Sequence, residues 1–510
     1  MASRRSDTSH GHMGKARLRC TWRRTPGHRR AEVKVKRSVP TAIVVGSGPN
    51  GLAAAAKLAR AGLHVTVIEA APTIGGGARS AEKILPNLIH DECAAFHPLA
   101  VASPIYKELE LHRYGLEWCS PPIQCAHPFD DGSAAELHQS VRETAKRLGK
   151  SGARWGKVFS SSAENFDDLL SDISKPILRI PKHPLLLAQF GARALLPASV
   201  LATLLKSESA RGLWMGVAAH ALYPLTTPFS SSVGLSLVVA AHAEGWPVAK
   251  GGSQSIANAL VSVIKAHGGV IETGHAVKSV NELPPVDVLM LDVSPSIAAN
   301  ILGDRLPSKI SAAYKRYRHG AGAFKVDFAV EGGVPWTATA AHQAGTVHLG
   351  GSAAEVMAGE AMIHAGRMPE RPFVLVGQQY VADPSRASGD VKPVWSYAHV
   401  PHGFDGDATE AIIKQIERFA PGFRDRIVGM ATRSTTQMSV HNANYVGGDI
   451  IGGQSSPRQL LFRPRLTTSP YSTGVAGTYL CSASTPPGAG AHGLCGANAA
   501  ELAISELRSR

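Results

Sequence analysis

Thr41-Ala-Ile-Val-Val-Gly46-Ser-Gly48-Pro-Asn-Gly51-Leu-Ala-Ala-Ala-Ala-Lys-Leu-Ala-Arg-Ala61-Gly62-Leu-His64-Val-Thr-Val-Ile68-Glu69 decides the fold. Thr41 to Val45 is a short β-branched run, suited to a strand buried on both faces. Ala- and Leu-rich residues 52–61 make a helix that stops at Gly62. His64 to Ile68 is a second strand, and an acid closes it. The order is strand, glycine turn, helix, strand, acid, which is a dinucleotide-binding unit of a doubly wound α/β fold. Gly46 permits the tight turn, Gly48 admits a pyrophosphate close to the backbone, and Gly51 lets helix and strand pack closely. Ser47, Pro49 and Asn50 complete the turn, and the helix start offers free N–H groups to phosphate. Glu69 is placed to hydrogen-bond ribose hydroxyls, and its charge would repel a 2′-phosphate, which disfavours NADP.

Outward from this unit, three further segments carry the same signature. Ile74-Gly75-Gly76-Gly77-Ala78-Arg79-Ser80 begins five residues after Glu69, and puts Gly75, Gly76 and Ser80 beside the same ligand or in a plain loop. Lys250-Gly-Gly-Ser253 precedes a helix from Gln254 to His267, a strand and turn from Val270 to Val280, and a strand from Val286 to Asp292. Near the end, Thr478 to Cys481 is a strand, and Pro486-Pro487-Gly488-Ala-Gly490 a glycine-rich turn. A terminal helix starts near Gly490. Such a helix start favours negative charge, as at the N1–C2=O edge of a reduced flavin. The expectation is an α/β protein whose Rossmann-like domain is built from residues 40–115, 248–300 and 466–510. An α+β substrate domain with a mixed or antiparallel sheet would use residues 116–247 and 301–465.

The composition excludes several other classes. A net charge of +14 over 510 residues suggests nucleic-acid binding until the charge is located. Residues 1–39 hold twelve Lys and Arg against two acids, so the remainder carries only +4. The expectation is a basic, disordered tail, with a targeting segment as the alternative, and no specific nucleic-acid partner. Six cysteines at 20, 93, 119, 125, 481 and 495 form no CxxC pair and no metal spacing. The most apolar stretch, Leu185 to Leu205, contains Arg193 and Pro197. It is therefore expected as a lid or buried helix, or a patch touching a bilayer surface, and not as a membrane span. An intracellular compartment is expected, cytoplasmic or mitochondrial.

The sequence resembles the flavin-dependent amine oxidase and phytoene desaturase superfamily. Within it, it looks most like the phytoene-dehydrogenase-related branch named pyridine nucleotide-disulfide oxidoreductase domain-containing protein 2. The matching residues are the Gly46 to Gly51 turn, Glu69, Gly75-Gly76, the Val277 strand, Asp292-Val-Ser-Pro295 and Thr485-Pro-Pro-Gly488-Ala-Gly490. Scattered matches lie around Ala126 to Gly132, Ala323 to Asp327, Trp395 to Pro401 and Asn444 to Asp449. The resemblance implies a non-covalent, extended FAD. Glu69 would hold the adenosine ribose, the turn the pyrophosphate, Val277 the adenine, and Gly488 to His492 the isoalloxazine, with Pro487 also a cofactor-binding residue. Two departures stand out. Gly77 occupies the place where the family often has Arg, with Arg79 two positions later. Ser482 and Ala491 replace a Gly and a larger aliphatic residue of the bacterial desaturase signature, which argues against a true carotenoid desaturase.

The chemistry expected of such a protein is hydride transfer from a substrate carbon to flavin N5. No second strand–GxGxxG–helix unit is present, so no separate NAD(P)H site is evident. The substrate is expected to be an apolar, isoprenoid- or lipid-like small molecule, with peripheral membrane contact. His492 is the candidate catalytic residue. His399, the Lys325/Asp327 pair and Tyr445 are polar positions for which a packing role competes. The alternative is a flavoprotein with a regulatory or interaction role; an NAD-dependent dehydrogenase and a redox-neutral isomerase rank below it.

Overall fold

The computed structural model describes residues 39–509; the expected tail, Val39 apart, lies outside the described residues. From the N-terminus, β1 is Thr41–Val45, α1 Pro49–Arg60 and β2 His64–Ile68. Next come β3 (Ile123–Pro128) and β4 (Ala134–Leu137). A run of helices follows: α2 (Gly152–Glu164), α3 (Phe166–Ile173), α4 (Pro184–Ala194), α5 (Ala198–Thr203), α6 (Glu208–Ala218) and α7 (Ser231–Glu244). The chain then forms α8 (Gln254–Ala266), β5 (Val270–Glu272) and β6 (Val288–Leu291). After these come β7 (Gly322–Glu331), β8 (Ala344–Leu349), β9 (Val374–Gly377), β10 (Val391–Val400) and β11 (Ile427–Arg433). The last elements are β12 (Thr478–Leu480) and α9 (Leu494–Arg508).

One sheet is fully parallel, in the order β12-β6-β1-β2-β5. Its strands come from three separated stretches of chain. The β-branched run of β1 is buried on both faces, as its composition requires. Ala42 and Val44 pack with α1, α8 and α9, whereas Ile43 and Val45 pack with Leu289, Leu291 and Ile301 on the other side. The five alanines of α1 are all buried, and their small side chains let the neighbouring helices approach. Three boundaries differ from the sequence expectation. Of the strand and turn expected from Val270 to Val280, the strand ends at Glu272, and Val277 lies in irregular chain held by the His275 N–H to the Glu69 carbonyl, 2.9 Å. The strand expected from Val286 to Asp292 is confined to β6, Val288–Leu291. The terminal helix starts at Leu494 and not near Gly490, because Gly490 and Gly493 both have positive φ, 130° and 70°.

The second sheet is mixed, in the order β11-β7-β10-β9-β8-β3-β4, with only β8 and β3 parallel. Its two faces separate by the period of two. Val326, Phe328, Val374, Val376 and Val394 pack under the helix Thr409–Glu417. Leu375, Trp395, Tyr397 and Cys125 face the helices α2 to α7. The Leu185 to Leu205 stretch becomes α4 and α5, broken at Pro197, with Leu185 80% exposed and Leu201 buried. Among the described residues no helix is long and apolar enough to cross a membrane.

A buried ion cluster ties the two sheets together. The Arg386 guanidinium donates to Asp91 at 2.5 Å, to Asp383 at 3.2 Å and to the Ala249 carbonyl at 2.5 Å. Asp91 also accepts from the Ser80 hydroxyl at 2.7 Å and the Ser253 N–H at 2.8 Å. Burial works against the Asp91 charge, but Arg386 and these hydrogen bonds outweigh it and hold the carboxyl below its ordinary value. Arg386→Ala leaves that carboxylate buried and unpaired. The variant is expected to lose about 3–5 kcal/mol in urea unfolding at neutral pH. The deficit should shrink as pH falls below about 4, where the unfolded chain begins to take up the proton, and the contribution is lost once pH falls through the lower folded value of Asp91.

Candidate functional site

The glycine turn closes the top of the parallel sheet. The Gly46 N–H donates to the Ile68 carbonyl at 2.8 Å with φ at 101°. Asp292, the residue after β6, lies against all three glycines. A Cβ on Gly46 would come 2.8 Å from the Asp292 carbonyl oxygen, and on Gly48 2.7 Å from its Oδ2. The same Oδ2 accepts the Gly51 N–H at 2.9 Å. The sequence reading gave the glycines turn, pyrophosphate and packing roles and missed Asp292 as their protein partner. Its signal was present, as the acid ending the strand that pairs with β1. Burial is the first cause raising the Asp292 carboxyl, to about 7; the Gly51 N–H opposes it and the Glu69 charge reinforces it.

Glu69 sits at the end of β2 with four donors. Its Oε2 accepts the Ser47 N–H at 2.8 Å and hydroxyl at 2.6 Å. Its Oε1 accepts the Ala71 N–H at 2.8 Å and the Arg79 guanidinium at 3.3 Å. Arg79 thus reaches the acid from its displaced position. Gly77 has its own reason, because a side chain there would collide with the Tyr445 hydroxyl.

These elements line a groove of about 590 Å³. Gly46, Ser47, Gly48, Pro49, Asn50, Glu69, Gly76, Val277 and Gly490 all line it. Five expected binding residues do not. Gly51 packs behind the turn, the Gly75 N–H donates to the Ser47 carbonyl, Ser80 binds Asp91, and Gly488 lies beneath Arg463. Pro487 lines a neighbouring cavity of about 540 Å³. His492, the expected catalytic residue, is also corrected. It is buried and lines neither cavity; its Nδ1 accepts the Leu494 N–H at 3.1 Å at the start of α9. Burial lowers its pKa to about 4, so it is a neutral brace of the glycine turn.

The two cavities meet at Phe96, Pro98, His220, Leu237, Ile451 and the 489–491 turn. This junction is a mainly apolar chamber, walled on the sheet side by Thr346, Leu375, Trp395 and Tyr397. The Lys325/Asp327 ion pair is buried on the same sheet face, beside Tyr397 and Trp395, and is shared with Lys83, 3.1 Å from Asp327. Burial lowers Lys325 to about 8 against the pull of Asp327, and neither residue lines the chamber. His399 is likewise a core histidine, with Nδ1 2.6 Å from Glu360. The histidine that does reach the chamber is His220, which the sequence did not single out. Its Nε2 lies 3.0 Å from His348 Nε2, and His348 Nδ1 lies 3.1 Å from the Cys125 sulfur. Among the described residues no cluster could hold a metal ion, and the five described cysteines are free thiols.

The model of an NAD(P)-binding Rossmann-like domain matches residues 44–109. The chain is 24% identical to rat pyridine nucleotide-disulfide oxidoreductase domain-containing protein 2, over 92% of this chain and 94% of that protein. It is 29% identical to a hydroxyneurosporene desaturase of Cereibacter sphaeroides over 46% of this chain and 49% of that one. A solved structure of a putrescine oxidase variant superposes with a TM-score of 0.59 at 16% identity, covering 92% of this chain and 99% of that one. The chain is thus similar to a pyridine nucleotide-disulfide oxidoreductase domain-containing protein and to a desaturase, and it shares its fold with an amine oxidase. The residues matched by the Rossmann-like model include the glycine turn, α1 and β2.

The raised Asp292 carboxyl predicts a pH signature. Folded, it keeps its proton up to about 7; unfolded, it loses it near 4. Its contribution to stability is therefore full below about pH 4 and lost as pH rises through about 7. Asp292→Asn retains an acceptor for Gly51 and has no proton to lose. Wild type should lose stability relative to this variant by at most about 1.4 kcal/mol per pH unit across that window, measured by denaturant unfolding.

Proposed function

We propose that this protein is an FAD-dependent oxidoreductase that removes hydride from an apolar, lipid-like substrate. The observation that carries the reading is the course of the groove. It runs from Glu69, past the glycine turn, to Ala489, Gly490 and Ala491, where it meets the apolar chamber. The residues fit an extended dinucleotide. The turn has no room for a Cβ at Gly46 or Gly48, and Gly48, the residue before α1, places no side chain over the helix start, where Asp292 takes the Gly51 N–H from beneath. Glu69 would hold the ribose, whose hydroxyl takes the place of the Ser47 hydroxyl or the Arg79 guanidinium. The turn would hold the pyrophosphate, and Val277 would meet the adenine. When bound, the flavin supplies a two-electron acceptor beside the 489–491 turn. The protein's part is to exclude water with its lid helices, to brace the turn through His492, and to hold the substrate against the sheet wall.

The absorption spectrum of the purified full chain tests this. The two bands of oxidised flavin, with FAD released on heating, are expected. Gly51→Ala should purify with little or none, because a Cβ there meets the Asp292 carboxylate at 2.9 Å. A wild-type protein that stays colourless after incubation with FAD overturns the reading.

We assign the substrate entrance to residues 173–207, and a bilayer carrying anionic lipid as the surface that covers it. The stretch contains no Asp or Glu but has Lys175, Arg179, Lys182, Arg193 and Lys206. It exposes Ile177, Leu178, Ile180, Leu185, Leu195, Val200 and Leu204, and Ile180 is 91% exposed. Ile177 and Leu195 also line the second cavity, so the apolar patch leads inward. The full chain is expected to pellet with phosphatidylcholine–phosphatidylglycerol vesicles. An Ile180→Glu/Leu185→Glu variant should partition about tenfold less or weaker still. Repeating the assay at about 1 M salt screens the basic segment 1–38 and isolates the apolar contribution.

A further inference from the structure

We propose that Arg463, on the wall of the second cavity, is the anchor for a single carboxylate, so that the substrate is a fatty-acid-like amphiphile. The proposal rests on the reading of the two joined cavities as the substrate site. Four charged residues line the second cavity: Asp172, Lys175, Arg179 and Arg463. Three of them are committed to the protein. The Arg179 guanidinium donates to Asp172 at 2.6 Å, and Asp172 also accepts the Lys182 and His183 N–H groups at 2.9 and 2.8 Å. The Lys175 ammonium donates to Asn498 and to Glu501, both at 2.7 Å.

Arg463 is different. It is only 6% exposed, and it has no carboxylate partner among the described residues. Its Nε donates to the Gln459 carbonyl and its Nη1 to the Ala483 carbonyl, both at 3.3 Å. Those two dipoles orient the head group without neutralising it. Its Nη2 has no acceptor in the protein, yet it is not closed off from accessible space as the unbonded Arg465 Nε is. A guanidinium has five N–H donors and stays charged at every working pH. Burial therefore cannot be relieved by loss of a proton, and a buried charge without a counter-ion is costly. A counter-charge brought by a ligand meets that cost.

The position of the head group suits a substrate. A Cβ on Gly488 would come 2.6 Å from Arg463 Nη1, so the guanidinium lies in the space that this glycine leaves open. Pro487 beside it lines the second cavity, and Ala489, Gly490 and Ala491 line both cavities. The anchor thus stands next to the turn at which the cavities meet. Phe190, Leu195 and Leu237 line the same space and offer apolar surface to a hydrocarbon chain. The charge count selects the class of head group. One unpaired cation balances one negative charge, which a carboxylate carries; a phosphate monoester carries about −1.5 to −2 at neutral pH. The planar fork also matches the two oxygens of a carboxylate. An alcohol or a bare hydrocarbon would leave the guanidinium unpaired.

Isothermal calorimetry on the full chain tests this with two probes of equal chain length, dodecanoate and 1-dodecanol. Dodecanoate is expected to bind about tenfold more tightly or better. Arg463→Met keeps an apolar stem and removes the charge. It should weaken dodecanoate about ten- to a hundred-fold and leave dodecanol unchanged. Arg463→Lys should recover part of the loss, because it returns the charge without the fork. Equal affinity for the two probes, dodecanoate binding that survives Arg463→Met, a parallel loss of both probes, or tighter binding of dodecyl phosphate than of dodecanoate overturns the anchor. Flavin content is measured on the same samples. If Arg463→Met loses flavin and keeps dodecanoate, the guanidinium serves the cofactor and the anchor is overturned. A colourless wild type that still prefers dodecanoate supports the anchor while sinking the flavin reading, so the two failures are distinguishable.

Discussion

Asp292 packed against the glycine turn is the constraint from which the rest of the site follows. Its main chain and carboxylate fill the space that side chains at 46, 48 and 51 would need, so β1, β6 and α1 meet at their closest approach there. That contact fixes where α1 begins and takes up the Gly51 N–H of its first turn. It also crowds two carboxyls, Asp292 and Glu69, onto one end of the sheet, and the protein meets the cost by keeping Asp292 protonated across much of the pH range. The turn is thus held from beneath by the protein before any phosphate approaches it from above.

A comparable division holds at the other end of the groove. The Pro486 to Gly493 turn is fastened from outside the cavity. Ser103 donates to the His492 carbonyl at 2.7 Å, and His492 itself accepts from the first turn of α9. Those fastenings leave Ala489, Gly490 and Ala491 as the surface presented to both cavities. The polar residues that look most chemical in the chain are spent on such work. Arg386 holds Asp91, Lys325 holds Asp327, and Glu360 meets His399. The chamber they surround is left with mainly apolar walls.

Much of this was legible in the chain. The strand–turn–helix–strand unit, the closing Glu69 and the segments around Val288 and Thr478 all announce themselves by local pattern, because a parallel sheet buried on both faces demands β-branched runs and its turns demand glycine. Several residues that motif reasoning put beside the ligand have protein partners that the motif does not show. Ser80 was read as part of a ligand loop, yet its hydroxyl is committed to Asp91. His492 follows a flavin-type turn and was read as facing the cofactor, yet it caps the helix behind that turn. Gly77 stands where Arg is frequent because Tyr445 fills the space beside it. The chamber wall was invisible, since Thr346, Gly377 and Trp395 have nothing in common until strand register aligns them.

The sequence by itself determined the class of fold, the nucleotide turn and the acid beside it, because each rests on neighbours within a few residues or on the two-residue period of a strand. It also determined that the 185–205 stretch is no membrane span, since Arg193 and Pro197 sit inside it. Only the tertiary structure decided which polar groups are spent on packing and which are left facing the cavity. Hydrogen-bond partners such as Asp91 and Arg386, or His220 and His348, are separated by 295 and 128 positions, and no local propensity encodes such a meeting.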